Sequence, residues 1–130
     1  MSILGLGTDI VAVDRIRRLL DQHGERFLTR CFRGAELDHL TGPAADHAPA
    51  VAARWAAKEA FLKALGRDVR HVPYADIEVV RSSAGPVSIR AHGAAEAVLG
   101  AVGAGRPVDI LLSMSHGRDQ AIAVVVIQAM

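Results

Sequence analysis

Residues 50–65 form the segment that most constrains the fold of this chain. The run is rich in Ala and Leu and has no interior Gly or Pro, so it predicts a long α-helix. Gly66 follows at the position where a C-terminal cap belongs. Glu59 and Lys63 lie four residues apart, a spacing that places them on one face of the helix. Because Ala, Trp, Phe and Leu surround them, we expect these charges to lie in a partly dry site.

The composition sets the size and class of the molecule. A chain of 130 residues with 51% hydrophobic content predicts one domain, residues 1–130. Its longest apolar stretches, such as 121–127, are far shorter than the roughly 20 residues that span a bilayer. The N-terminus lacks a basic lead into an apolar signal segment. We therefore expect a cytoplasmic protein without a membrane partner.

The net charge and the single cysteine bear on two further classes, nucleic-acid binders and proteins with internal disulfides. A net charge of +1 argues against a nucleic-acid binder that relies on bulk electrostatics, so any anionic partner must be met by a local basic patch. Cys31 is the one cysteine of the chain, so it cannot form an internal disulfide. We expect it to be a small buried apolar residue.

The hydrophobic period changes several times along the chain, which is typical of helices packed against a sheet. Strands are predicted at 3–8, 77–80, 87–90, 110–115 and 121–127, the last four as two hairpins. Further helices are predicted from Val13 to Gly24, through Phe27 and Cys31, through Leu37 and Leu40, and at 94–102, with a loop at 41–49. The pattern predicts an α+β fold with an antiparallel sheet packed against a long helix.

Two groups of acidic and basic residues could carry chemistry, and each also has a plain structural interpretation. Asp9 follows a Gly-Leu-Gly-Thr run at the end of a predicted strand. From pattern alone, capping of the next helix is favoured over metal binding. Glu59 and Lys63 could be an ordinary helix pair that contributes about 0.2–0.5 kcal/mol. The sequence pattern leaves both alternatives open.

Two further groups of polar and basic residues could have either a structural or a functional role. Ser113-Met114-Ser115-His116 could be the polar end of a strand, and a lone His there is more often structural than catalytic. Arg15, Arg17 and Arg18 could be a solvated helix face. Only the joint occurrence of the four groups favours a functional interpretation.

Together, these groups belong to ordered motifs. They are Gly7-Thr8-Asp9-Ile10-Val11 followed by Arg15, Arg54-Trp55-Ala56-Ala57-Lys58-Glu59-Ala60 with Lys63 and Ala64, Asp76-Ile77-Glu78-Val79, and Ser113-Met114-Ser115-His116. The series resembles the bacterial holo-acyl-carrier-protein synthases, the small 4′-phosphopantetheinyl transferase family, from Ile3 nearly to the C-terminus. Two local departures are Gly85-Pro86 directly adjacent, where the family usually has Gly-x-Pro, and Arg33, where it often has Thr.

The resemblance implies a 4′-phosphopantetheinyl transferase fold and a transferase activity. The phosphopantetheine arm of coenzyme A would pass to a serine of apo-acyl carrier protein, in support of fatty acid biosynthesis. Adenosine 3′,5′-bisphosphate would leave. The resemblance also implies a homotrimer with active sites between subunits.

The same resemblance implies roles for Asp9 and for the acidic and basic residues of the central helix. Asp9 and Glu59 would bind Mg²⁺, with Mn²⁺ as an alternative, because hard divalent cations prefer oxygen ligands. Glu59 and Lys63 would be catalytic, with Lys63 stabilising charge on the phosphates. The base for the attacking serine is either Glu59 or a metal-bound water, which we favour slightly.

Binding of the two substrates is assigned to other residues. Coenzyme A would contact a set that combines cationic and polar side chains with one turn residue: Arg54, Lys58, Pro86, Ser115 and His116. Arg15 and Arg18, and less clearly Arg17, would steer the acidic carrier protein.

Two alternatives from other classes compete with the enzyme. A coenzyme A or nucleotide-binding module without catalysis would not need both Asp9 and Glu59. A domain that only docks on an acidic helix would keep Arg15 and Arg18 and would be indifferent to Glu59. Magnesium-dependent turnover separates the enzyme from both.

Overall fold

The computed structural model describes residues 2–40, 47–81 and 85–130 and confirms the α+β fold. The helices are α1 (Val13–His23), α2 (Glu25–Cys31), α3 (Ala35–Leu40), α4 (Ala48–Leu65) and α5 (Gly93–Gly103). The strands are β1 (Ser2–Ala12), β2 (Ile77–Arg81), β3 (Val87–Ala91), β4 (Val108–His116) and β5 (Gln120–Ala129), and a short 3-10 helix, Tyr74–Asp76, precedes β2. Residues 41–46 of the predicted loop lie outside the described residues.

The strands form two antiparallel sheets. In the larger sheet β5 lies between β1 and β4, and in the smaller one β2 pairs with β3. Both predicted hairpins are therefore confirmed. The N-terminal strand completes the larger sheet by pairing along nearly its whole length with β5, the last strand of the chain.

The larger sheet has one covered face and one open face. Along β5 the inward residues Ala123 and Val125 are fully buried, whereas Ile122 on the opposite face is 43% exposed. Helix α4 packs on the covered face. The open face also carries Leu6 and Ile10, which are 66% and 60% exposed. A large apolar surface of this kind marks an interaction site more often than a solvated face.

Helix α4 is buried almost all round, as expected for a helix whose apolar residues are not confined to one stripe. It begins at Ala48, two residues before the predicted start, because Pro49 is tolerated in the first turn, where the backbone N–H groups have no partner within the helix. Gly66 ends it in the left-handed conformation, as predicted. None of the described helices is long and apolar enough to cross a membrane.

Two glycines of β1 allow the strand to lie directly on α4. A Cβ atom on Gly5 would lie 1.9 Å from the carbonyl oxygen of Ala64, and one on Gly7 would lie 1.9 Å from that of Ala60. Two residues of a strand and four of a helix both advance by about 6 to 7 Å, so the two contacts repeat in step. Asp9, two residues further on the same face of β1, is thereby brought to α4.

Replacement of Gly7 by Ala is expected to lower the free energy of unfolding by at least about 1–3 kcal/mol, because the new methyl group can be accommodated only if strand and helix separate. Urea denaturation measures this loss. Gly100→Ala is the matched control, since a Cβ there meets nothing within 4 Å. Ala is favoured over Gly inside helix α5 by about 0.5–1 kcal/mol. Equal effects of the two substitutions would contradict the close packing of β1 on α4.

Candidate active site

Asp9 lies inside β1, and its partner is a lysine of α4. Helix α1 begins only at Val13, and Ala12 occupies its N-cap without a side-chain hydrogen bond, so the capping interpretation of Asp9 is wrong. The Nζ atom of Lys63 donates to Oδ1 of Asp9 at 3.1 Å and to the carbonyl oxygen of Thr8 at 3.0 Å. The structure thus brings together two side chains that are 54 residues apart in the chain.

Glu59 lies one turn before Lys63 on α4, but the two side chains have different partners. The hydroxyl group of Tyr74 donates to Oε1 of Glu59 at 2.5 Å. Burial, together with this hydrogen bond, raises the pKa of Tyr74 well above its ordinary value, so the hydroxyl keeps its proton. Within residues 2–40, 47–81 and 85–130 no ion pair joins Glu59 to Lys63. The pair is therefore not a simple helix salt bridge.

The donor set fits a magnesium ion. Asp9 and Glu59 each use one carboxylate oxygen in a hydrogen bond to the protein, and among the described residues the other oxygen of each has no such bond. Mg²⁺ usually takes one or two carboxylates and fills its remaining positions with water and substrate phosphate oxygens. The described part of the chain holds no group of three or more His, Cys, Asp or Glu side chains suited to a metal. These two carboxylates therefore match the usual protein contribution to a magnesium site.

Three of the residues predicted to bind coenzyme A line one groove. Arg54, Ser115 and His116 surround a volume of about 460 Å³ together with Arg81. The Arg54 side chain is anchored by a hydrogen bond of 3.2 Å from Nη1 to the carbonyl oxygen of Ala50. Burial and the nearby Arg81 guanidinium both lower the pKa of Arg54. Two crowded cations at a groove favour the binding of an anion such as phosphate.

Lys58 is the predicted coenzyme-binding residue that the structure places elsewhere. Its ammonium group is fully buried and contacts both carboxylate oxygens of Glu36, at 3.1 and 3.0 Å. It also donates to the carbonyl oxygens of Tyr74 and Ile77. All of these partners lie inside the protein, so the position of Lys58 corresponds to a structural role and we leave it out of the proposed coenzyme site. The sequence analysis did not anticipate that Glu36 pairs with Lys58 in the core.

A second, larger groove lies beside α1. Its volume is about 640 Å³, and it combines an apolar floor with a cationic rim. Arg15, Arg26 and Arg30 supply the positive charge of the rim, and the floor includes Phe27, Trp55 and Tyr74. Arg15 was predicted from the sequence, whereas Arg26 and Arg30 were missed because α2 is short and its arginines are spaced like any solvated pair.

The remaining predicted residues lie outside the lining of these two grooves. Arg18 is exposed on α1. Arg17 is paired with Asp14 at 3.7 Å, which accounts for its position on a solvated helix face. Pro86 is exposed next to Val87, which lines the groove of about 460 Å³, while residues 82–84 of the same turn lie outside the described residues. The contribution of Arg18 and Pro86 stays a prediction.

Comparisons with known proteins connect this arrangement to one family. Residues 5–125 match the sequence model of the 4′-phosphopantetheinyl transferase superfamily. The chain is 41% identical over 127 residues to a holo-[acyl-carrier-protein] synthase of Maridesulfovibrio salexigens, covering 97% of this chain and 98% of that one. It is 43% identical over 126 residues to the protein of the same name from Halorhodospira halophila, covering 96% and 97%.

Solved structures give the same result at the level of the fold. The holo-[acyl-carrier-protein] synthase of Neisseria meningitidis superposes with a TM-score of 0.81 at 34% identity, covering 98% of this chain and 99% of that one. An ACPS–CoA complex from Chronobacterium ammoniagenes superposes with a TM-score of 0.84 at 28% identity, covering 100% and 99%. The similarity therefore extends over the whole fold, including β1 and α4.

Proposed function

The chain belongs to the 4′-phosphopantetheinyl transferase superfamily, and from this premise we propose that it is a holo-acyl-carrier-protein synthase of the cytoplasm. It transfers 4′-phosphopantetheine from coenzyme A to a serine of apo-acyl carrier protein and releases adenosine 3′,5′-bisphosphate, in support of fatty acid biosynthesis. The observation that carries this proposal is the contact of Lys63 with Asp9, one helical turn from Glu59.

The chemistry of the transfer explains why charged groups are needed at this position. The serine oxygen forms a bond to the phosphorus that bears the pantetheine arm, and the bond from that phosphorus to the bridging oxygen breaks. Adenosine 3′,5′-bisphosphate leaves with the electron pair, so negative charge grows on the leaving phosphate. Cations fixed beside it lower the barrier. Lys63, whose side chain is 55% exposed beside Asp9, supplies one such charge.

Asp9 and Glu59 would hold the second cation. When bound, Mg²⁺ supplies positive charge to the diphosphate oxygens and so stabilises the leaving group. Asp9 accepts a hydrogen bond from Lys63, and Glu59 accepts one from Tyr74. Glu59 is also a candidate acceptor for the proton of the attacking serine, because the transfer needs a base next to the nucleophile.

We assign coenzyme A to the groove that Arg54 and His116 line. Coenzyme A carries a 3′-phosphate, and a guanidinium binds a phosphate through paired N–H donors. Arg54 and Arg81 present two such groups, and Ser115 and His116 add hydrogen-bonding side chains. Relatives bind the same coenzyme, since the Chronobacterium structure is a complex with coenzyme A and so is one from Helicobacter pylori.

The carrier protein is assigned to the groove with the cationic rim. Opposite charges at an interface mainly raise the rate of encounter, and their effect falls as salt is added. The apolar floor beneath the arginines offers a surface that can be buried once the partner has docked. An acidic helix with apolar residues on one face has the complementary chemistry.

Replacement of Arg15 by Ala is expected to raise the KM for acyl carrier protein about two- to fivefold at low salt, the range of an exposed charge pair. The salt dependence of that KM should become flatter, while the KM for coenzyme A stays near the wild-type value. Steady-state kinetics over a series of salt concentrations measure both quantities.

Arg70→Ala is the matched control for Arg15→Ala, because it removes the same unit of charge. Arg70 is 90% exposed, pairs with Asp68 at 2.8 Å and does not line the groove. Its removal should leave the salt dependence unchanged. If Arg70→Ala flattened it as strongly as Arg15→Ala, the effect would be one of net charge and the assigned surface would be wrong.

The open face of the larger sheet supports the proposed homotrimer. Leu6, Ile10, Leu111, Ile122 and Val124 are each at least 38% exposed on this face. Their burial between subunits would remove this apolar surface from water. Ser115 of the coenzyme groove lies on the same face of β4 as Leu111, so a neighbouring subunit would pack close to the site. Sedimentation equilibrium measures the subunit number.

The proposed activity is tested directly by mass spectrometry of the carrier protein. Apo-acyl carrier protein is incubated with coenzyme A, Mg²⁺ and this protein, and its mass should rise by one phosphopantetheine arm. Omission of Mg²⁺ should suppress the gain. An unchanged mass over long incubation, with several acyl carrier proteins as substrates, would contradict the proposal.

A further inference from the structure

Tyr74 is the side chain in direct contact with Glu59 that the proposed mechanism leaves without a chemical step. Its hydroxyl donates to Oε1 of Glu59 at 2.5 Å. Its ring stacks on Trp55 with a centroid distance of 4.7 Å and an interplanar angle of 27°. The stacking of the ring on Trp55 therefore holds the hydroxyl toward one carboxylate oxygen of Glu59.

The backbone of Tyr74 is held by the residue next to Glu59. Lys58 donates to the carbonyl oxygen of Tyr74 at 3.1 Å, and the same ammonium group contacts Glu36 in the core. Two consecutive residues of α4 thus contact the two ends of Tyr74, Lys58 at the main chain and Glu59 at the hydroxyl. Such a doubly attached side chain can transmit the rigidity of the core to a half-buried carboxylate.

We propose that Tyr74 is a positioning residue that fixes the Glu59 carboxylate so that its second oxygen faces the divalent cation. This inference rests on the proposed function, because it assumes that Glu59 holds a cation. A glutamate side chain has several rotatable bonds, and free rotation costs binding energy when the cation must select one rotamer. A hydrogen bond to one oxygen removes part of that cost. Outer partners of metal ligands typically change metal affinity by about 10–100-fold.

The alternative is that Tyr74 acts only through its ring. The ring contacts Trp55 and lines the larger groove, so its loss could disturb packing without any effect of the hydroxyl. Two substitutions separate these roles. Tyr74→Phe keeps the ring and removes the hydroxyl, whereas Tyr74→Leu removes both.

The test measures binding of Mn²⁺ alone to the purified full-length protein, from the electron paramagnetic resonance signal of free Mn²⁺. Tyr74→Phe is expected to bind Mn²⁺ about 10-fold more weakly than wild type, with an unchanged affinity for coenzyme A measured without metal. Its kcat should recover in part at high Mn²⁺ concentration, which a loss of folding would not allow. The thermal unfolding midpoint serves as the control for packing.

Two results would overturn the inference. One is wild-type Mn²⁺ affinity in Tyr74→Phe together with weakened binding in Tyr74→Leu, which would assign the role to the ring. The other is equal Mn²⁺ affinity in all three proteins. Failure of the proposed function has a different signature, since the wild-type protein itself would then give no mass gain on the carrier protein.

Discussion

Replacement of Glu59 by Gln is expected to lower kcat for phosphopantetheine transfer by on the order of 10³-fold. The expectation follows from the loss of the proposed cation ligand. A bound metal contributes several kcal/mol of charge stabilisation in the transition state, and about 1.4 kcal/mol corresponds to a factor of ten. Glutamine has nearly the same size but no charge. Coenzyme A binding measured without metal should change far less, since Arg54 and His116 lie in a separate groove.

Rapid assays with excess Mg²⁺ give kcat, and titration calorimetry gives the affinity for coenzyme A. Glu96→Gln on α5 is the matched control, because Glu96 is exposed and the same chemical change there should leave both quantities unchanged. Asp9→Asn should resemble Glu59→Gln. The double variant should be little worse than either single one, since residues that act as a unit give non-additive losses. Normal magnesium-dependent rates in Glu59→Gln would remove Glu59 from the mechanism.

The second large effect concerns folding. Lys58→Met is expected to lower the free energy of unfolding by about 3–5 kcal/mol, because it leaves the Glu36 carboxylate buried without its cation. Both side chains of this pair are 0% exposed. Burial lowers the pKa of Lys58, and the charge and hydrogen bond of Glu36 oppose this shift. Urea denaturation measures the loss.

Lys63→Met is the matched control on the same helix. Lys63 contacts Asp9 at 3.1 Å, a distance like that of the Lys58–Glu36 pair, but its side chain is 55% exposed. An exposed pair contributes about 0–1 kcal/mol, so Lys63→Met should barely change stability while it lowers kcat. Equal destabilisation by the two substitutions would contradict the structural role assigned to Lys58.

Glu36 holds more than the ammonium group. Its carboxylate also accepts hydrogen bonds from the backbone N–H groups of Arg33 and Val79, both at 3.0 Å. The carboxylate thus ties α3 to β2 and, through Lys58, to α4. The double variant Lys58→Met, Glu36→Gln should recover only part of the stability that Lys58→Met loses. The glutamine offers one acceptor oxygen to two backbone donors.

The sequence predicted the elements of this fold well because each has a strong local signal. Helix α4 follows from its Ala-rich composition and from Gly66 at its end. The two hairpins follow from apolar strand segments that flank Gly-containing turns. The addition of β1 to the edge of β5 joins the two ends of the chain and leaves no local pattern, so it could not be predicted.

The site was predicted from motifs, and the errors arose where a tertiary contact overrides a local preference. Asp9 resembles a helix cap in the sequence, but β1 continues to Ala12 and carries Asp9 onto α4. Lys58 and Lys63 are both lysines of one helix, and only the fold decides which one is buried. Tyr74 lies in the short 3-10 helix, 15 residues from Glu59, and no sequence pattern marks it as a partner of Glu59.

The central claim is that Asp9 and Glu59 share one divalent cation that binds the diphosphate of coenzyme A. The most direct measurement is anomalous diffraction from crystals grown with Mn²⁺ and coenzyme A. We predict one manganese peak bonded to a carboxylate oxygen of each residue and to phosphate oxygens of the ligand. A peak at another position, or coenzyme A bound with no manganese between these two carboxylates, would contradict the account.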